Sequence, residues 1–394
     1  MPRTVDDRRS LFVTGARSGD PVALAQVLVA TPSVNPAIES GGAGEEEIAG
    51  VVAGLLEGWG LRVEVRSVAS GRCNVIAFLE GEGPTLMLNG HLDTVGVEGM
   101  SVPPFEAEIV VSRLAGRGAC DMKGGVAALL AATARLAARG PRPSVVVALT
   151  ADEEHASLGM QAVVRDGPRA DLAVVCEPTG LAVMPAHKGF VWVRATFTGR
   201  AAHGSRPELG VDAIRHAGLF LASLDRYAEE LESRPPHELL GHASLHAGTI
   251  VGGSAPSVYP DHCEVQLECR TMPGTDPEEV LAELGRFAEA LSLREPALDA
   301  SLEVTLARPG TEVGVGSELV RGLLAAGEKH GVRPAVRGMT AWVDAAFLNE
   351  AGIPAVCFGP GATEQAHTVD EWIDVTEIVT CADVLETFAR GLVR

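Results

Sequence analysis

The stretch Gly116-Arg117-Gly118-Ala119-Cys120-Asp121-Met122-Lys123-Gly124-Gly125 sets a single carboxylate, Asp121, between a glycine-rich approach and the apolar run Val126-Ala127-Ala128-Leu129-Leu130. Glycines on both sides permit tight and left-handed backbone that a side chain would obstruct. The apolar run predicts a helix to about residue 138, so Asp121 lies just ahead of a helix start. Taken alone, such a residue reads as a turn or a helix cap. Its two oxygens can also face two cations, which makes it a candidate metal bridge. The segments on either side decide between these readings.

Upstream, residues 62–68, 73–79 and 85–89 have strand patterning, and the third runs straight into His91-Leu92-Asp93-Thr94-Val95. Downstream, residues 144–150 empty into Ala151-Asp152-Glu153-Glu154, and residues 172–176 into Glu177-Pro178-Thr179. Helices are predicted from Asp20-Pro21 to residue 29, and from Glu45-Glu46-Glu47 to about residue 58, where acidic residues favour the N-terminal end. Strands alternating with helices predict an α/β catalytic domain, with a largely parallel twisted sheet flanked by helices. From Lys188 the texture changes. Strands at 191–198, 246–251 and 263–270 with helices near 212–231 and 276–291 predict a small α+β sandwich. Helical pattern at 317–329, the segment 344–350, a strand at 354–358 and a last helix from Asp374 restore the first texture. The expected organisation is therefore a catalytic domain in two parts, 1–187 and 307–394, with 188–306 inserted between them.

His91, Glu153 with Glu154, and Glu177 share one topological position, just past the C-terminal end of a predicted strand. Open α/β sheets bind ligands at that edge. Asp121, and His367 in the loop after Phe358-Gly359-Pro360-Gly361, can reach the same crevice. Two imidazoles and three carboxylates suffice for two divalent ions that share a bridging carboxylate. Mixed nitrogen and oxygen ligation suits Zn²⁺, with Co²⁺ or Mn²⁺ as substitutes. Asp93, two residues after His91, is placed to orient the imidazole. The adjacent pair Glu153-Glu154 can divide labour, one ligating and one handling protons. Cys120 reads as packing, because a carboxylate-rich site rarely recruits a thiolate. His155, His187, His242 and His246 read as bystanders.

The chain has 394 residues, which suggests two domains, and 46% hydrophobic residues, which describes a packed globule. A formal net charge of −20 argues against nucleic acid or an anionic membrane as partner, since either needs a basic face. An anionic substrate group must then meet locally placed Arg or Lys. Seven cysteines without a Cys-x-x-Cys pair read as free thiols in a reducing compartment, and the cytoplasm is expected. No apolar run is long enough for a signal sequence or a membrane span.

Together the segments resemble the co-catalytic zinc hydrolases that include acetylornithine deacetylase, succinyl-diaminopimelate desuccinylase, aminoacylase and carboxypeptidase G. The resemblance covers nearly the whole chain. It rests on Gly90-His91-Leu92-Asp93-Thr94-Val95, Gly116 to Gly125, Ala151-Asp152-Glu153-Glu154, Cys176-Glu177-Pro178-Thr179, Ala202-His203-Gly204-Ser205 and Ala366-His367-Thr368-Val369-Asp370-Glu371, in that order. It implies that Asp121 bridges two zinc ions, with His91 and Glu177 completing one site and Glu154 and His367 the other. Glu153 would be the general base and then the acid, and Asp93 would steer His91. The insert resembles the family's lid and dimerisation domain and implies a homodimer. There His203 corresponds to an oxyanion-stabilising histidine, often acting across the dimer, and Arg270 to an arginine that holds the substrate carboxylate. Ser257 stands where the family usually carries Asn, and a lone hydroxyl cannot make the two-ended amide contact. The implied reaction is hydrolysis of an N-acyl amino acid amide or, alternatively, of a short peptide by a dipeptidase or carboxypeptidase. A non-catalytic metal-dependent binding protein is the more distant alternative, which an intact Glu153 argues against.

Overall fold

The structure, a computed structural model, describes residues 13–393. The chain divides into two compact units. One comprises residues up to Pro185 with Val313–Arg337 and the segment from Val343 onward; the other comprises Ala186–Glu312 with Gly338–Trp342.

The first unit is built on a mixed sheet. Strand β1 (Arg62–Ala69) pairs antiparallel with β2 (Arg72–Leu79), and β2 pairs antiparallel with β4 (Ser144–Thr150). From there the ladder is parallel, through β3 (Thr85–His91), β5 (Leu172–Val175) and the strand Ala355–Cys357. Strands β3 and β4 are buried nearly throughout because both faces are covered, as in parallel sheets generally. Asp20 caps α1 (Pro21–Val29), accepting from the Ala23 amide at 2.8 Å, with Pro21 at the first position. Helix α2 (Glu46–Gly58) covers β1 and β2, and α3 (Gly124–Ala138) packs against β3, α1 and the C-terminal helix Val375–Gly391. Every residue from Gly124 to Ala134 is buried, so α3 carries no polar face.

The second unit is an antiparallel four-stranded sheet in the order β7-β8-β6-β9, formed by β6 (Gly189–Thr198), β7 (Ser244–Gly252), β8 (His262–Thr271) and β9 (Asp299–Arg308). Alternate residues Val191, Val193, Ala195 and Phe197 of β6 and Cys263, Val265, Leu267 and Cys269 of β8 are buried. They form one core with α4 (Ala213–Ser233) and α5 (Pro277–Ser292). The strict alternation is what a sheet covered on one face produces.

Several elements lack a sequence signal. Helix Leu158–Asp166 begins at Ser157, whose φ of +55° and missing side-chain cap hide the start. Strand Val183–His187 contains Pro185, which demotes a strand reading. The short strands Ile109–Val110, Arg113–Ala115 and Trp372–Asp374 are held by their pairing with one another.

The contact between α3 and the exit of β5 sets the depth of the crevice. A Cβ on Gly125 would lie 2.0 Å from the Cys176 carbonyl oxygen, whereas one on Gly50, mid-helix in α2, would meet nothing within 4 Å. Gly125→Ala should therefore destabilise the protein by about 3 kcal/mol through overpacking. Gly50→Ala should stabilise it by about 0.5–1 kcal/mol through helix propensity. Denaturant unfolding of both variants checks the pair.

Candidate metal centre

Because β3, β4 and β5 run parallel, their C-terminal ends lie along one edge, delivering His91, the loop after Thr150 and the loop after Val175 to one place. Asp121 reaches the same place from the irregular turn Ala119–Lys123, where its backbone is extended (φ −119°, ψ 98°) and the Asp121–Met122 peptide is cis. Gly118 enters that turn at φ +79°, and a Cβ there would lie 2.7 Å from Thr94 Cγ2, so a side chain is excluded twice over.

Asp121 presents one oxygen to each imidazole. His91 Nε2 lies 3.1 Å from Oδ1, and His367 Nε2 lies 3.4 Å from Oδ2. His367 Nε2 also lies 3.0 Å from Glu154 Oε2. One ligating atom each from His91, Asp121 and Glu154 fall within 4.8 Å of one another. His91 donates Nδ1–H to the main-chain carbonyl of Asp93 at 2.9 Å, so Nε2 is the nitrogen with a lone pair. Glu177 is buried, and its Oε1 has no hydrogen-bond partner among the described residues.

Electrostatics make the same point. Burial, with the charges of Asp121 and Glu154, pushes the Glu177 carboxyl up to about 8 against the pull of His91. Burial and Glu177 likewise hold Glu153 well above the carboxylate range, and burial and Asp121 raise Glu154. Asp121 alone is lowered: burial opposes it, but the hydrogen bonds with His367 and His91 prevail. Burial also brings Asp344, whose Oδ1 has no partner among the described residues, up to about 7. Crowded buried carboxylates with orphaned oxygens are short of positive charge, and divalent cations supply it. Oxygen donors mixed with two imidazoles fit such ions.

Asp93 serves the site differently from the expectation that it steers His91. Its carboxylate oxygen stands 3.7 Å from His91 Nδ1, beyond hydrogen-bond reach, and the steering falls to its carbonyl. The carboxylate instead accepts from the Glu153 amide at 3.1 Å and the Glu154 amide at 3.2 Å, aiming both glutamates. Asn35 bridges that carboxylate at 2.8 Å to Asp152 at 3.0 Å. Asp152 rests on the buried ion pair of Arg72 with Glu45, at 2.5 and 2.6 Å. Sequence reasoning left out Asn35, Glu45, Arg72 and Asp152, which sit in loops or on strands far apart in the chain. No hydrogen bond or ion pair among the described residues holds the Glu153 carboxylate, in contrast to Glu154.

Glu371 was legible only as a member of the His367 block. Its fully buried carboxylate accepts from the amides of Gly118 (3.0 Å), Cys120 (2.8 Å) and Asp121 (3.0 Å) and from Arg117 Nη1 (2.6 Å). It pins the Asp121 turn to the strand that follows His367.

Three sequence candidates lie in the second unit. His203 is exposed, and its Nδ1 accepts from the Ser205 amide at 3.2 Å, which assigns the ring proton to Nε2. Its backbone bridges Val258, and the Ser257 carbonyl accepts from the Gly204 amide at 2.8 Å. Arg270 donates Nε–H to Glu268 at 2.6 Å.

Comparison with known proteins agrees with this architecture. Peptidase family M20/M25/M40 matches residues 87–391, and the chain belongs to that family. The acetylornithine deacetylase of Myxococcus xanthus is 33% identical over 325 residues, covering 80% of this chain and 82% of that protein. The solved aminopeptidase PepT of Bacillus cereus superposes with a TM-score of 0.78 at 23% identity, covering 95% of this chain and 98% of that one. A dinuclear metal-binding M20 peptidase from Bacillus subtilis superposes with a TM-score of 0.72 at 17% identity, over 95% and 98% of the two chains. The chain is accordingly a hydrolase of amides or peptides from a metal-dependent family. No helix among the described residues is long and apolar enough to cross a membrane.

Removing the Glu371 carboxylate leaves three buried amides and Arg117 without an acceptor. Glu371→Ala should cost about 3–5 kcal/mol of stability, the range for breaking a buried charged network. It should also weaken divalent-metal binding, measured by chelator competition, because Asp121 loses its support. Glu371→Gln, which keeps one acceptor oxygen, should fall between it and the parent protein in both readouts.

Proposed function

We propose that the protein is a dinuclear-metal deacylase that hydrolyses the amide bond of an N-acyl amino acid. The observation that carries the proposal is Asp121, with one carboxylate oxygen toward His91 and the other toward His367. His91 and Glu177 would complete one ion's ligands, and Glu154 and His367 the other's. Zinc fits the donor set, with Co²⁺ or Mn²⁺ as substitutes. Divalent ions at such a centre acidify a water and draw electron density from the scissile carbonyl.

The chain's own groups supply the rest. Glu153, aimed by Asp93 but unpaired at its carboxylate, takes the proton of the attacking water and returns it to the departing amine. His203, protonated at Nε2, is the donor for the negative charge developing on the carbonyl oxygen. Arg270 takes the substrate's α-carboxylate, and Ser257 offers one hydroxyl where the resemblance implies an amide. The second unit would serve as lid and as the face of a homodimer in the reducing cytoplasm. The relatives named acetylornithine deacetylase favour deacylation, and the peptidase superpositions keep a dipeptidase or carboxypeptidase as the second reading.

Substrate panels separate these readings: N-acetyl amino acids should be turned over in preference to dipeptides, and the reverse order selects the second reading. Zinc-saturated protein should hold about two ions, as a bridged centre requires. Glu153→Gln should keep both ions and lose about 10²–10⁴-fold in kcat, whereas Glu154→Gln should lower metal content. A metal defect in the first variant rather than the second would reverse the two roles.

A further inference from the structure

Aromatic residues make up only 4% of the chain, yet two of its four tryptophans meet on one face of the second unit's sheet. Phe190 and Trp192 are alternate residues of β6. Both point away from α4 and α5, because the core under those helices takes Val191 and Val193. The two rings lie 5.2 Å apart, and Trp342, from the segment Gly338–Trp342 of the same unit, meets Phe190 edge to face at 6.1 Å. A bulge between Val304 and Leu306 in β9 makes Leu306 the register partner of Trp192, which brings an aliphatic side chain to the same face. Trp192 is 43% exposed, so part of this apolar patch is open to a ligand.

A tie to one cation sets the patch apart from an ordinary exposed aromatic. Glu268, the register partner of Trp192 in β8, accepts from Arg270 Nε at 2.6 Å with one oxygen and from Trp192 Nε1 at 2.8 Å with the other. One carboxylate therefore fixes a guanidinium and an indole relative to each other, and Arg270 also lies 5.6 Å from the Phe190 ring centre. Held in this way, the two groups match a molecule that carries a carboxylate and an aromatic ring close together. An α-carboxylate and the side chain of the same residue stand in that relation, because both leave one Cα. The acyl group lies on the far side of the scissile amide. Further cations find the ring faces already taken: Arg270 lies against Phe190, and Arg308, which donates to the Ala307 carbonyl, lies 5.9 Å from the Trp342 ring centre.

We propose that Trp192, with Phe190, Trp342 and Leu306, forms a platform for the substrate's side chain, and that the preferred substrates are N-acyl amino acids whose side chain is aromatic. The proposal rests on the deacylase reading and on the place that reading gives Arg270. It adds a specificity which that reading leaves open. It departs from what the relatives' name implies, because the side chain of acetylornithine ends in an amine. An ammonium group laid on this platform would lose its water beside two guanidinium groups. A phenyl or indole side chain instead gains ring contacts and buries apolar surface.

The test compares kcat/KM of the metal-loaded protein on N-acetylphenylalanine, N-acetylleucine and N-acetylornithine. N-Acetylphenylalanine should lead N-acetylornithine by about 10- to 100-fold, from burial of its ring. It should lead N-acetylleucine by about 2- to 10-fold, from ring–ring contacts. Trp192→Ala should bring the lead over N-acetylleucine to about 1, mainly through KM, and Trp192→Phe should keep part of it. Equal or better turnover of N-acetylleucine or N-acetylornithine by the parent protein overturns the platform and leaves the deacylase reading intact, and so does a lead that Trp192→Ala does not reduce. Should none of the three be hydrolysed, the deacylase reading fails, and calorimetry of the same protein with N-acetylphenylalanine decides the platform. Binding that Trp192→Ala weakens sustains it; no binding, or binding that the variant leaves unchanged, overturns it.

Discussion

The carboxylate of Glu371 is fully buried, and three backbone amides of the Asp121 turn together with Arg117 converge on it. A turn of this kind, bounded by Gly116 and Gly118 at positive φ, has little internal regularity to hold it. Its shape is set from outside, by an acceptor that satisfies donors which would otherwise be buried and unpaired. The strand Trp372–Asp374 begins at the next residue and pairs with Arg113–Ala115, so the same short element sits just after His367 and frames the turn from both sides. Asp121 and His367, distant in sequence, are thereby placed by one local structure. Without that constraint the two oxygens of Asp121 would have no reason to face different imidazoles.

A second network does the same for the glutamates. Arg72 and Glu45 pair with almost no exposure, and their pair carries Asp152, Asn35 and finally Asp93. Buried ion pairs contribute little net stability, but removing one partner leaves an uncompensated charge. Their effect here is positional. The chain of contacts ends on the amides of Glu153 and Glu154, which fixes where each carboxylate starts. The two then differ in environment, one paired with His367 and one unpaired, and that difference underlies the division between ligand and base.

Like charges are brought close together in both units. In the first, burial raises Glu153, Glu154, Glu177 and Asp344 because carboxylates crowd around two imidazoles. In the second, Lys188 is lowered beside Arg270. Arg270 is held there between the Phe190 ring and Glu268. The crowded carboxylates of the first unit call for cations.

Local sequence determined most of the element plan, because apolar periodicity and caps are short-range. Asp20, Asp212, Asp276, Ser317 and Asp374 each cap the helix their position announces. The strand ends at His91, Thr150 and Val175 follow from apolar runs that stop, and parallel pairing brings them to one edge. The ligand candidates were legible for that reason. Tertiary structure alone decided the rest. That the carbonyl of Asp93, not its carboxylate, holds His91 depends on where the Glu153 and Glu154 amides arrive from another strand. The roles of Asn35, Glu45, Arg72 and Glu371 depend on hydrogen bonds across up to 254 residues of sequence separation, which no local pattern records. The row Arg270-Phe190-Arg308 exists only through register, since three strands from different parts of the chain must align to within one residue for its side chains to share a face.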